Sequence, residues 1–114
     1  MARGINKVIL IGILGDEPQF ITGRSGRTCA TLSLITRDPG PTPVSTPEDK
    51  ITQWHRVILP EALTELAQMQ LHKNSCLYVE GRLQTRSFTD KRGLKRNVTE
   101  IIARTALLLP GILP

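Results

Sequence analysis

Cysteine is scarce here: Cys29 and Cys76 are the two in 114 residues. Neither belongs to a CxxC pair or a Cys/His spacing, which argues against a zinc site. Both lie in apolar, strand-like patterns, where a free thiol behaves as a small buried hydrophobe; a disulfide between them is required by nothing. Long hydrophobic runs are missing too. The stretch Val8–Leu14 is broken by Gly12 and is too short for a signal-peptide core or a membrane span. The expected location is intracellular, which for a bacterial chain means cytoplasmic. Catalytic groupings are also absent. His55 has no nucleophile, metal cluster or paired carboxylate at a useful spacing, and residues 23–27 lack the Lys-Ser/Thr that completes a phosphate-binding loop. The sequence therefore predicts no enzyme, no metal and no cofactor.

Aromatic residues are few as well: Phe20, Trp54, Tyr78 and Phe88. Their surroundings make two of them informative. Residues 50–59 read Lys-Ile-Thr-Gln-Trp-His-Arg-Val-Ile-Leu. Side chains alternate across a strand, so Thr52, Trp54, Arg56 and Ile58 share one face while Gln53, His55, Val57 and Leu59 share the other. An aromatic ring beside a guanidinium suits a planar, negatively charged ligand; the bland alternative is a core tryptophan with a solvated arginine beside it. Between residues 82 and 96 lie Arg82, Arg86, Lys91, Arg92, Lys95 and Arg96 against one acid, Asp90, and among them sits Phe88. Aromatics interleaved with cations fit single-stranded nucleic acid, whose phosphates are neutralised while its bases stack. A solvated hairpin with charged edges is the competing reading. The net charge of +5 favours a polyanionic partner, as does the second aromatic–arginine pair. Arg3, Lys7 and Lys73 are candidates to extend a phosphate track.

The length allows one domain with a real core. Residues 5–14 alternate with apolar groups on both faces: Ile5, Ile9 and Ile11 beside Lys7 on one, Val8 and Leu10 on the other. Such a strand is expected to be covered on both sides, one cover being the core and the other a partner subunit. Residues 19–22 read as a short strand or arm. Residues 28–36 form a strand with Ala30, Leu32 and Leu34 inward and Thr31 and Ser33 outward. Residues 37–49, with four prolines, form a long exposed loop. After the Trp54 strand, Pro60 and Glu61 open a helix striped by Leu63, Leu66, Ala67 and Leu71. A long strand follows, with Leu77, Val79, Gly81 and Leu83 on one side and Phe88 near its end. It turns at residues 89–94 and returns through residues 95–109. The predicted fold is all-β with one helix: a five-stranded OB-fold Greek-key barrel with the helix between strands 3 and 4. The domain spans residues 1–109, and residues 110–114 are a short apolar C-terminal stub.

Three segments together resemble the bacterial single-stranded DNA-binding protein family. They are Met-Ala-Arg-Gly-Ile-Asn-Lys-Val-Ile-Leu-Ile-Gly-Ile-Leu-Gly at residues 1–15, Gln-Trp-His-Arg-Val-Ile-Leu at 53–59, and Leu-Tyr-Val-Glu-Gly-Arg-Leu-Gln-Thr-Arg with Phe88-Thr89-Asp90 from residue 77. The resemblance covers nearly the whole barrel in order. It implies sequence-independent binding of single-stranded DNA by a homotetramer, in replication, recombination and repair. It also implies that Trp54 and Phe88 stack bases, the family usually having Trp at the latter position. His55 and Tyr78, with Ile5 and Ile9 of the first strand, match positions at or near subunit contacts. Arg3, Lys7, Arg56, Lys73, Arg86, Lys91 and Arg92 complete the expected DNA-binding set.

Three departures accompany the resemblance. The family often has a stacking Phe where this chain has Pro60. A further Trp usually lies in the loop that is proline-rich here. The family's long linker and acidic tip do not appear before Pro114, so the sequence reads either as a short form or as a truncated piece, and the tip's partner-recruiting role is not carried over. Stacking is worth roughly 1–3 kcal/mol per base, so two lost platforms should weaken binding or shorten the occluded site. The alternative function is an OB-fold assembly subunit with weak or lost DNA binding. An RNA ligand also stays open, because stacking does not read the sugar.

Overall fold

A computed structural model describes residues 3–38 and 51–111. The proline-rich loop, Lys50 and the last three residues of the expected apolar stub lie outside the described residues. Six strands are present: β1 (Val8–Leu14), β2 (Gln19–Thr22), β3 (Thr28–Asp38), β4 (Ile51–Leu59), β5 (Cys76–Thr89) and β6 (Lys95–Leu108). A 3-10 turn at Glu61–Leu63 leads into α1 (Thr64–Gln70), between β4 and β5. The sheet order is β1-β5-β6-β4-β3-β2, and an extra β1–β3 pairing curls it shut. This is the expected OB-fold layout, with the short β2 as a sixth strand on the flank of β3.

Two short seams close the barrel. β1 meets β3 at Ile13↔Ile35 and Leu14↔Leu34. β4 and β6 run parallel and pair at Val57↔Ile101 and Ile58↔Ile102. The β5–β6 ladder is far longer, running from Leu77↔Leu108 to Thr89↔Lys95. The core fills from the inward residues of every long strand. Leu14, Ala30, Leu34, Val57, Leu59, Leu77 and Val79 are fully buried, and Leu32 nearly so. Burying each such Leu or Val contributes about 1.5–3 kcal/mol relative to exposure. Ala67 and Leu71 bring α1 onto this core, as their stripe predicts. Pro60, extended at φ −61 and ψ 168, lets the chain enter the 3-10 turn. Thr31, expected outward, is buried at a position where register sets its short side chain between the longer Gln19 of β2 and Ile58 of β4.

The first strand is shorter than the alternation predicts. Residues 5–7 are not in the ladder. Instead the Asn6 side chain takes the place of a strand residue: its amide donates to the Leu83 carbonyl at 2.9 Å and accepts from the Leu83 N–H at 2.9 Å. Within the chain β1 is covered on one side only. Val8 and Leu10 pack on the core, whereas Ile9 and Ile11 are 55% and 56% exposed.

The β5–β6 ribbon shifts register at Glu80/Gly81. A Cβ at Gly81 would collide with the Ile102 carbonyl oxygen, so the close approach there requires glycine. Beyond this point the ribbon leaves the barrel, and Leu83, which shares a strand face with Leu77 and Val79, is 48% exposed. No described helix is long and apolar enough to cross a membrane.

Candidate nucleic-acid interface

Strand alternation in β4 puts Val57 and Leu59 in the core and turns Trp54 and Arg56 outward. Trp54 is 60% exposed, which rules out the core-tryptophan reading. The ring is nevertheless seated. It pairs in register with Ile35 of β3, and a Cβ built on Gly15 would fall 2.5 Å from the indole Cζ3. The absence of a side chain at Gly15 is therefore what admits the ring. A flat, exposed indole resting on backbone can accept a base on its free surface.

On β5, Arg86 and Phe88 share the outward side, and the Arg86 guanidinium lies 5.9 Å from the Phe88 ring centroid, within cation–π range. A residue that the sequence reading did not single out joins the two aromatic–arginine pairs. Glu100 of β6 is only 3% exposed, and its carboxylate accepts from Arg56 Nε at 2.7 Å and from Arg86 Nε at 2.9 Å. A longer contact from an Arg86 terminal nitrogen, 3.3 Å, completes the set. Donation from Arg86, reinforced by Arg56, holds the Glu100 carboxyl below the usual carboxylate range despite burial, and Glu100 in turn raises Arg86. Glu100 is the one acid on β6, which marks it as a counter-charge, but which arginines it meets is set by strand pairing that the local sequence does not contain.

The tip of the ribbon is held by Asp90. Its carboxylate accepts from the Arg92 and Leu94 backbone N–H groups at 2.9 and 3.0 Å and from Arg96 Nε at 2.9 Å. Chiefly through Arg96, these bonds lower the Asp90 carboxyl. They leave Lys91 and Arg92 exposed at the turn, with no ion-pair partner among the described residues. Asp90 thus serves the turn rather than diluting the charge of its two basic neighbours.

The remaining candidates scatter. Lys73 lies in the turn after α1 and lines a groove with Gly15, Ile35, Thr36 and Arg37, which brings it to the Trp54 end of the barrel. Arg37 was not anticipated there, because it reads as the start of a loop. Lys7 does not join this group. Its ammonium lies 3.1 Å from Glu80, well down β5 from Arg86. Arg3 is exposed, three residues before the Asn6 side chain that bonds Leu83 of β5. Among the described residues no group of three or more His, Cys, Asp or Glu could hold a metal ion.

The model of the single-strand binding protein family matches residues 5–109. The chain belongs to that family. Among solved structures, a chain described as a Plasmodium falciparum SSB complex with ssDNA superposes with a TM-score of 0.83 at 30% identity. The superposition covers 96% of this chain and 98% of that one. Pro60, where the resemblance led to an expected aromatic, opens the helical segment instead: its carbonyl accepts from the Leu63 N–H at 2.8 Å.

The expected subunit-contact residues separate into two places. On the outer side of β1, β5 and β6, register sets Ile11 beside Tyr78 and Tyr78 beside Leu107, with Ile9 beside Glu80. Ile9, Ile11 and Leu107 are more than half exposed, and Ile5 is 94% exposed. The charges within this patch answer one another. Glu80 takes Lys7 at 3.1 Å, Arg104 at 3.7 Å and the Tyr78 hydroxyl at 3.1 Å. Lys7 contributes most to lowering Glu80, and the bond to Glu80 raises Tyr78. His55 lies elsewhere, half-buried, its Nε2 2.8 Å from Thr36 Oγ1 across β3 and β4.

Proposed function

We propose that the chain binds single-stranded DNA without sequence preference, by base stacking on Trp54 and Phe88 and phosphate contacts to the surrounding cations. One observation carries this reading: Trp54–Arg56 and Arg86–Phe88, from strands far apart in sequence, meet on one outer surface through Glu100. Family membership supports it, as does the likeness to a protein solved with single-stranded DNA. Lys91, Arg92 and Lys73, with Arg37 and Arg3, extend the phosphate track, while Lys7, held by Glu80, is peripheral to it. The protein works by binding alone, with no catalytic step, and acts on exposed single strands during replication, recombination and repair, in the cytoplasm at the nucleoid. The binding unit is the domain at residues 1–109.

We further propose a homotetramer whose contacts include Ile5, Ile9 and Tyr78 on one face and His55 at a separate place. The row Ile9, Ile11, Tyr78 and Leu107, with its internally neutralised charges, has the character of a buried interface centre. The same row favours the second reading, an assembly subunit kept for its protein contacts, because two of the family's usual platforms are missing.

Fluorescence of the single tryptophan, titrated with oligo-dT at low and moderate salt, separates the two readings. Strong quenching that weakens with salt is expected for DNA binding. Saturating DNA with neither quenching nor a mobility shift would leave the assembly reading. A clear preference for an RNA oligomer of equal length would change the substrate.

A further inference from the structure

The geometry points to Glu100 as a positioning residue: it clamps Arg56 and Arg86 into a single fork that takes one backbone phosphate between the Trp54 and Phe88 platforms. This rests on the DNA-binding reading above and assigns a role inside it to a residue that itself touches no ligand.

Two guanidinium groups on separate strands repel each other and do not gather unaided. Here they gather on the two oxygens of one carboxylate, with Arg56 on Oε2 and Arg86 on both. The carboxylate is 3% exposed while the Arg56 and Arg86 side chains are 41% and 47% exposed, so the acid lies beneath and the cations above. Both arginines spend their Nε group on Glu100. Among the described residues, both terminal nitrogens of Arg56 and one of Arg86 have no protein acceptor. A guanidinium pair with outward donors matches the planar O–P–O edge of a phosphodiester, which can accept from both. The trio carries a net charge of +1, so the site gains its hold from donor geometry rather than from accumulated charge.

This assignment makes a prediction of unusual sign. Glu100→Gln adds a positive charge to a DNA-binding surface, which by charge alone strengthens binding and steepens its salt dependence. If Glu100 instead positions the fork, the variant binds oligo-dT more weakly, by about tenfold at moderate salt. Quenching of Trp54 at saturation is unchanged, because the indole seat does not involve Glu100. The control is the same substitution in a chain carrying Arg56→Lys and Arg86→Lys, which keeps the charge but has no fork to position. There Glu100→Gln should cost nothing further. A thermal melt of each variant establishes that it is folded at the temperature of titration. Glu100→Gln binding as tightly as the parent, or more tightly, overturns the assignment. So does an equal loss in the lysine background, which would mark general loosening of the ribbon. A parent that shows no quenching at all would instead overturn DNA binding itself, and the two failures are told apart by that first titration.

Discussion

The two halves of β5 are one strand with one alternation, yet they serve different surfaces. From Cys76 to Glu80 the strand is barrel wall: Leu77 and Val79 are fully buried, and Tyr78 and Glu80 look out onto an aliphatic patch. From Arg82 to Thr89 it is a free ribbon, almost every residue exposed, carrying Arg86 and Phe88. The register shift at Glu80/Gly81 divides them. On the lower half, Glu80 gathers Lys7, Arg104 and Tyr78, so charges are satisfied and the surface suits a flat apolar partner. On the upper half, cations outnumber acids and keep donors to spare, which suits a flexible polyanion. Identical strand geometry thus yields opposite surfaces according to what lies behind it and how its charges are answered.

The comparison breaks most completely at the division itself. Gly81→Val drives a side chain into the Ile102 carbonyl and should destabilise the fold by about 3 kcal/mol or more, abolishing both surfaces together in a thermal melt and a DNA titration. Next in size is Ile11→Glu, which places a charge in the proposed dry contact. It should weaken assembly by about 2 kcal/mol, roughly thirtyfold in dissociation constant, by sedimentation. Trp54 quenching by oligo-dT should survive in the separated subunits; quenching lost in parallel would join the two surfaces functionally.

Trp54→Ala reverses the test, leaving assembly intact and weakening oligo-dT binding by about 1–2 kcal/mol, more than Phe88→Ala does. A mobility-shift titration reads this without the lost fluorophore.

Acid should affect both halves. Glu100, chiefly through Arg86, Glu80 through Lys7 and Asp90 through Arg96 all have lowered folded-state values. Their stabilisation is present above the unfolded carboxylate range and is lost as pH falls through the lowered values. Melting temperature should therefore drop on the acid side of about pH 4. Glu100→Gln should flatten that slope on the ribbon side; an unchanged slope would place the acid sensitivity elsewhere. The smallest change, Phe88→Trp, restores the family's usual ring and should tighten binding by a few tenths of a kcal/mol to about 1 kcal/mol, read as a shift in the oligo-dT midpoint.

Much of this arrangement is legible from the residues. Alternation around Trp54 separates the exposed ring and Arg56 from buried Val57 and Leu59, and the Pro60–Glu61 start and leucine stripe locate the helix. What alternation does not contain is the layer behind. Leu83 continues the Leu77, Val79, Gly81 series but is 48% exposed, since the ribbon has by then left the barrel. Ile5 extends the Ile9, Ile11 series, yet the Asn6 side chain has replaced the ladder there. The cluster at Glu100 depends on pairing between strands far apart in the chain, which no local pattern carries. Lys7 reads like any other basic residue until Glu80 is seen beside it.

The seams that close the barrel have a consequence in time. Each is two residue pairs long, whereas the β5–β6 ladder runs nearly the length of both strands. Parting a seam breaks few bonds and leaves most of the ladder standing, so solvent can reach its amides through brief local openings. Deuterium should enter first around Ile13 and Ile58 and last in the barrel part of the ladder, around Leu77 and Val79. The first of those places adjoins Gly15, under the indole of Trp54, so the ring proposed to receive a base rests on one of the quickest-opening parts of the wall.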